Sequence, residues 1–388
     1  MKYHSKYKFL SEQFIHIFKE KPTNFFAIPG RVEFIGNHTD HQGGKTLSFT
    51  IDRYIYACAN KRDDNLIVLH SKNYSIPTLI DLNDIEFKNS EKGTSIALIK
   101  GVATYFKNHN FKIGGFNLYT YSNIPRGMGL SSSAAFETLI AKVLNELYNN
   151  LTISPLNLAK AGQFAEIHYF GKPCGLLDQL TVSYEQLVYC DFKNKAPEVE
   201  QISAHLLDDF DIHLIYIGKG HAGLSHHYKR IVDDMNLVNN YYKKEQLRDV
   251  NEEQFFNDFV NLNNVIPLLA LNRAKHFFLE TRRVEEVVDA LHKNDKKEVI
   301  KLINESGESS ATLLKNLSLP NEKKKTLENS YYLLKEKFPT AAVRIHGGGF
   351  GGTLLFVSLK EEKLGKELRE FCKSLNLKRI YKIKPSLS

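Results

Sequence analysis

The chain has 388 residues, 42% of them hydrophobic and 25% charged, with a formal net charge of +8; that length suits two domains, each with a sizeable core. No apolar run approaches the roughly 18 residues of a membrane span, and four scattered cysteines without a C-x-x-C pair predict a reduced, cytoplasmic protein rather than a disulfide scaffold. Lysines are interleaved with glutamates in NEKKKTLEN and KEEKLGKELRE, so the positive charge reads as solvated surface rather than a nucleic-acid stripe, and a mildly positive field suits an anionic small molecule such as a nucleotide.

The first residues, MKYHSKYKFLSEQFIHIFKE, lack the uninterrupted apolar segment of a signal peptide and predict an amphipathic helix. Short β-type runs follow in RVEFIG, TLSFTI, YIYACA and LIVLHS. The pattern then predicts a helix over 95–108, a strand at GFNLYTYS, a serine-rich loop leading into a long helix, a helix near 155–170 and a strand at QLVYCDF. Charged, irregular sequence near 192–205 marks the best boundary, dividing the chain into 1–198 and 199–388. Beyond it come a strand at DIHLIYIG, several long helices between 225 and 338, and the late pair AAVRIHGGGFGGTLLFVSL. Strands and helices mix without regular β-α-β alternation, which predicts an α+β fold.

Three stretches carry chemistry. In NIPRGMGLSSS the chain passes from a strand to a helix whose apolar stripe is Phe136, Leu139, Ile140, Val143, Leu144 and Leu147. Backbone N–H groups and the dipole at a helix start form an anion site, and glycine lets the backbone approach a phosphate without a Cβ in the way. One serine would be enough to cap the helix; three serines with two glycines exceed that need. The second stretch, PGRVEFIGNHTDHQGG, crowds Arg31, His38, Asp40 and His41 between two apolar strands, a dense set of donors and acceptors of the kind a polyhydroxylated ligand requires. A purely structural turn remains the alternative, and the spacing of His38, Asp40 and His41 fits no standard zinc site. The third, GGGFGG, formally satisfies G-x-G-x-x-G, but a β-type run follows where a dinucleotide fold demands a helix. It therefore predicts a glycine-rich hairpin where backbone approaches a ligand or another loop. GGKT at 43–46 lacks the earlier glycine of a Walker A loop.

Together GRVEFIGNHTDHQGG, PRGMGLSSSAAFE and RIHGGGFGGTLLFV resemble, in order, the three motifs of the GHMP small-molecule kinases, and most closely those of its galactose-phosphorylating members. The segment AEIHYFGKPCGLLDQL is similar to the one that carries the family's acidic residues, and the match spans residues 29–356. The resemblance implies an N-terminal α+β domain over 1–198 and a C-terminal ferredoxin-like domain over 199–388, with the active site between them. It also implies ATP-dependent phosphorylation of the anomeric hydroxyl of galactose, with Mg2+ as cofactor, by a monomer that binds neither nucleic acid nor membrane. By position, Asp178 matches the catalytic aspartate and Arg31 the arginine beside it. Ser133 and Glu166 match the magnesium-linked positions, and Gly127, Met128, Gly129, Leu130, Ser131, Ser132 and Ser133 the phosphate loop. Asn37, His38, Thr39, Asp40 and Tyr228 match sugar-binding positions. The chain departs from the usual pattern at Asn37, where glutamate is usual, and at His41 and Gln42, where Tyr-Asn is usual. Another sugar, or a non-catalytic sugar sensor, are the alternative readings.

Overall fold

The computed structural model describes residues 4–386 apart from 73, 126, 219–223, 320, 321, 323–325 and 378. Its chain folds into two compact units. The first takes Met1–Arg31, Thr50–Pro125 and Ser131–Glu185, the second Val32–Phe49, Arg126–Leu130 and Gln186–Ser388. The units are therefore interleaved along the sequence rather than separated by one cut.

In the first unit, helix α1 (His4–Phe18) precedes strand β1 (Asn24–Ile35), whose residues up to Arg31 belong here. Strands β2 (Lys45–Lys61), β3 (Leu66–Ser71) and β4 (Thr78–Asp81) follow, then helix α2 (Ser95–Asn108) and strand β5 (Phe116–Ser122). The sheet order is β4-β3-β5-β2, with β3 and β5 parallel and the other pairs antiparallel. The YIYACA run is buried on both faces, which explains why its apolar residues do not alternate with polar ones. Tyr54, Tyr56 and Cys58 pack with Leu10 and Phe14 of α1 and Tyr119 of β5, while Ile55, Ala57 and Ala59 point the other way and are buried too. Helices α3 (Ser132–Asn149), α4 (Pro155–Phe164) and α5 (Leu177–Tyr184) pack with one another. A π-helical turn, Ala165–Phe170, extends α4 and ends at Gly171, whose φ of +82° is left-handed. The predicted helix near 155–170 is this composite.

In the second unit, Lys45–Phe49 of β2 pairs with β6 (Leu187–Asp191), and β6 pairs with β7 (Glu198–Ile202). Strand β7 lies inside the stretch expected to be irregular. Its outward charges, Glu198 and Glu200, mask it in a composition-based reading, because an edge strand needs only half its residues apolar. Strand β8 (Phe210–Tyr216) is followed by helices α6 (Ser225–Tyr241), α7 (Glu252–Leu262), α8 (Leu268–His292), α9 (Lys296–Ser309) and α10 (Thr326–Lys337). Strands β9 (Ala342–His346) and β10 (Thr353–Leu359), helix α11 (Gly365–Ser374) and strand β11 (Arg379–Ile383) complete the chain. The antiparallel sheet runs β11-β8-β10-β9, which is the 4-1-3-2 order of a ferredoxin-like β-α-β-β-α-β unit. Its second and third strands, β9 and β10, flank GGGFGG as an antiparallel pair, as predicted. Leu327, Tyr331 and Leu334 of α10 and Leu368 and Cys372 of α11 pack with Val343, Ile345, Leu354 and Phe356 of the sheet.

Candidate functional site

The serine loop enters α3 through a run of left-handed residues: Gly127 (φ 77°), Gly129 (φ 69°) and Ser131 (φ 52°). Met128 and Leu130 are buried while Gly127 and Gly129 are not, so alternate side chains anchor the loop and the bare glycine backbone stays accessible. Ser131 occupies the N-cap position, yet its side chain does not cap the helix, and the first turn holds no acidic residue. The side-chain cap that a serine at this position usually supplies is therefore missing, as at anion-binding helix starts.

The Ser131 hydroxyl is directed elsewhere. It donates to Oδ2 of Asp178 at 2.5 Å. Arg31, buried on β1, donates to Oδ1 of the same carboxylate from Nε at 2.8 Å and from Nη2 at 2.5 Å. Burial pushes the Asp178 carboxyl up, but the Arg31 guanidinium, the Ser131 hydroxyl and the Lys172 ammonium outweigh it and hold the group below the usual carboxylate range. Asp178 lies in the first turn of α5, so the N-terminal end of that helix favours the same charge. Arg31 and Asp178, 147 positions apart, are brought into direct contact.

Glu166, on the π-helical turn, is 2% exposed. Its Oε1 accepts from the Ser133 hydroxyl at 3.2 Å and from Lys172 Nζ at 2.7 Å. Its Oε2 accepts from Gln179 Nε2 at 2.9 Å. The same Gln179 nitrogen donates to Glu137 at 3.1 Å. Burial, and after it the adjacent Glu166 carboxylate, push the Glu137 carboxyl well above the usual carboxylate range. Sequence reasoning missed Glu137, Gln179 and Lys172. Glu137 had left a signal: it is an acidic residue set among the buried positions of α3, between Ala135 and Leu139.

Separately, in the second unit, three expected sugar-site residues meet three consecutive carbonyls of the third glycine motif. Asn37 Nδ2 donates to Gly347 O at 2.8 Å, His38 Nε2 to Gly348 O at 3.0 Å and the Tyr228 hydroxyl to Gly349 O at 3.3 Å. Burial, reinforced by His41, depresses His38 to about 3; the neutral ring must therefore carry its hydrogen on Nε2 to bond a carbonyl. The glycines are needed for close approach: a Cβ at Gly348 would lie 2.5 Å from the Tyr228 ring, and one at Gly349 2.4 Å from Asn316 O.

Asn37 is placed unlike an open ligand contact. It is 1% exposed. Its amide nitrogen also donates to Glu33 Oε1 at 3.1 Å, and its oxygen accepts from Asn316 Nδ2 at 2.8 Å. Its backbone carbonyl is bonded to His276 Nε2 at 2.9 Å. Glu33 in turn pairs with the fully buried Arg344 at 2.6 Å. Thr39, 0% exposed, has its hydroxyl within 2.9 Å of Gly36 O and 2.7 Å of Lys45 O, so it ties the turn. Asp40 opens a short 3-10 turn, Asp40–Gln42, and accepts from the His41 amide at 3.0 Å. Gln42 is drawn away into a contact with Asn236, Asn239 and the Leu247 amide. Asn37→Glu would set a second carboxylate beside Glu33 and remove both donated bonds. The expected loss is about 3 kcal/mol or more of stability, seen as a lower urea midpoint; an unchanged midpoint would show that the network tolerates charge at this position.

Comparison with known proteins gives the family. Residues 97–186 match the family model of the GHMP kinases N terminal domain, and residues 12–61 match the galactokinase galactose-binding signature. The galactokinase of Limosilactobacillus reuteri (strain DSM 20016) is 30% identical over 370 residues, covering 92% of this chain and 91% of that protein. The galactokinase of Clostridium acetobutylicum is 29% identical over 397 residues, covering 96% and 94%. Among solved structures, Lactococcus lactis galactokinase complexed with galactose superposes with a TM-score of 0.85 at 23% identity over 97% of both chains. Methanococcus jannaschii mevalonate kinase gives 0.64 at 18% identity, over 94% of this chain and 98% of that one.

Proposed function

This chain belongs to the galactokinases of the GHMP kinase family, and we infer from its own residues how it transfers the γ-phosphoryl group of ATP to the anomeric hydroxyl of galactose. The observation that carries the reading is the carboxylate of Asp178, held ionised by Arg31 and Ser131 at the mouth of the serine-rich helix start. Phosphoryl transfer depends on positioning and on neutralising charge more than on covalent help. Asp178 accepts the proton of the sugar's anomeric hydroxyl as its oxygen bonds to the γ-phosphorus, the bond to the β-phosphate oxygen breaks, and ADP leaves. Arg31 keeps that carboxylate deprotonated beforehand and offsets charge on the transferring group.

The loop from Gly127 to Ser133 receives the nucleotide phosphates in this reading. We assign Mg2+ to Ser133 and Glu166, whose oxygens lie 3.2 Å apart. One hydroxyl and one carboxylate suit an ion that takes few protein ligands and completes its shell with water and phosphate. When bound, a divalent cation there would supply positive charge against the phosphates. His38, Asp40 and Tyr228 are assigned to the sugar, with Asn37 and Thr39 holding the turn that presents them. We take residues 1–198 and 199–388 as the family's N- and C-terminal regions in sequence; they differ from the two compact units, because Val32–Phe49 and Arg126–Leu130 fold with the second. The four cysteines are free, which suits a reducing cytoplasm, and we take the enzyme to act as a monomer.

The test is ATP turnover against a panel of galactose, its epimers and its deoxy analogues. Galactose is expected to give the highest kcat/KM. A better epimer would move the assignment to another sugar, and no ADP release with any member would leave a sugar sensor. The acid limb of the pH profile tests the carboxylate. Asp178 must be ionised to accept a proton, so activity is lost as pH falls through its depressed pKa. Ser131→Ala removes a bond made to the charged form, so the pKa rises and the acid limb of kcat/KM moves up, by up to about one pH unit. Superimposable limbs would mean that Ser131 does not hold the carboxylate ionised.

A further inference from the structure

Lys172 is the member of the carboxylate cluster that the reaction above leaves without a task. It follows the left-handed Gly171 that ends the π-helical turn, and its backbone N–H donates to Glu166 O at 3.0 Å. The reversal brings its side chain back onto the carboxylate of the turn, with Nζ 2.7 Å from Glu166 Oε1. Its charge also acts on Glu137 and Asp178, so one ammonium serves three acidic groups. The two partners differ in freedom: the Glu166 side chain is 2% exposed, whereas that of Lys172 is 39% exposed. The carboxylate is fixed by Gln179 and Ser133; the ammonium sits on a flexible stem that reaches in from the solvent side. Ser133 and Lys172 converge on the same oxygen, Oε1. The position assigned to a divalent cation thus already carries a monovalent one.

We propose that Lys172 is an exchangeable counter-cation of Glu166. It holds Oε1 of this buried carboxylate beside Ser133 before the metal–nucleotide complex binds, and it gives up that oxygen on binding. An ammonium and a dication cannot both touch one carboxylate oxygen without strong repulsion at such short range, so the two compete. The consequence is a metal affinity set deliberately below what the bare carboxylate would give. The inference rests on the assignment of Mg2+ to Ser133 and Glu166, and its test separates the two.

Mn2+ serves as the probe, its binding read by electron paramagnetic resonance in the presence of a non-hydrolysable ATP analogue. Lys172→Met is expected to bind Mn2+ roughly tenfold more tightly than the wild type, since a charge-assisted competitor is removed. Lys172→Arg, which keeps the cation, stays near the wild-type affinity. Lys172→Gln repeats the direction of Lys172→Met should the latter be poorly folded. The Mg2+ concentration giving half-maximal turnover falls in parallel in the two neutral variants. Equal or weaker Mn2+ binding in both neutral variants, alongside a loss of binding in Glu166→Gln, would overturn the competition while leaving the metal assignment intact. Undiminished Mn2+ binding in Glu166→Gln would remove the metal assignment, and the proposal with it.

Discussion

Asp178→Asn is expected to lower kcat by about 10³-fold, within the range that a positioned general base contributes, while ATP-analogue binding stays near the wild-type value. The amide is close in shape and can still accept from Ser131 or Arg31, which donate to the two carboxylate oxygens in the native site. What it loses is the charge and the capacity to take a proton. Single-turnover kinetics with galactose in excess isolates the chemical step, and calorimetry with a non-hydrolysable analogue reports the nucleotide affinity. A variant that retains near-normal turnover in a pure preparation would remove Asp178 from the proton-accepting role. One that also loses nucleotide binding would make its effect structural.

Arg344→Met is expected to cost about 3–5 kcal/mol of stability, because it strands a buried carboxylate. Arg344 is fully buried; one Nη donates to Phe34 O at 2.6 Å and the other to Glu33 Oε1 at 2.6 Å. Its loss leaves Glu33 charged beside Asn37, at the root of the turn that carries His38 and Asp40. The double variant Glu33→Gln with Arg344→Met should regain more than half of the lost stability, because the charge is then gone and Gln can still accept from Asn37 Nδ2. Urea denaturation of the two single variants and the double variant gives the coupling. Additive losses would show that the pair is not the source of the effect. The turn should suffer with the fold: Arg344→Met is also expected to raise the KM for galactose more than that for ATP, since its partners lie in the sugar segment.

Several elements were legible because their signals are local. The helix over 95–108 coincides with α2 (Ser95–Asn108), and GFNLYTYS coincides with β5. Periodicity over a few residues is enough for both, since side chains three or four apart share a helix face and those two apart share a strand face. TLSFTI and YIYACA were legible as strands but not as one: they join in the 17-residue β2, and Asp52-Arg53 between them interrupts the apolar pattern without ending the strand. Strand β7 was missed because its alternate outward residues are charged.

The site divides in the same way. Glycines, serines and their place between a strand and a helix determine by themselves that residues 127–133 form an exposed-backbone helix start, because φ preferences and helix-end amides are properties of a short stretch of chain. That GGGFGG forms a strand-to-strand turn was equally determined, by the β-type run after it. Only the tertiary structure decided that the N-cap serine would serve Asp178 rather than its own helix, that Arg31 would reach across 147 positions to the same carboxylate, and that Asn37 would be sealed by Glu33, Gly347 and Asn316. It also decided that Lys172 would sit on Glu166. The reason is physical: a side chain's partner is chosen by which groups the fold removes from water beside it, and a buried polar atom must bond to whatever the topology delivers, however far away that group stands in the sequence.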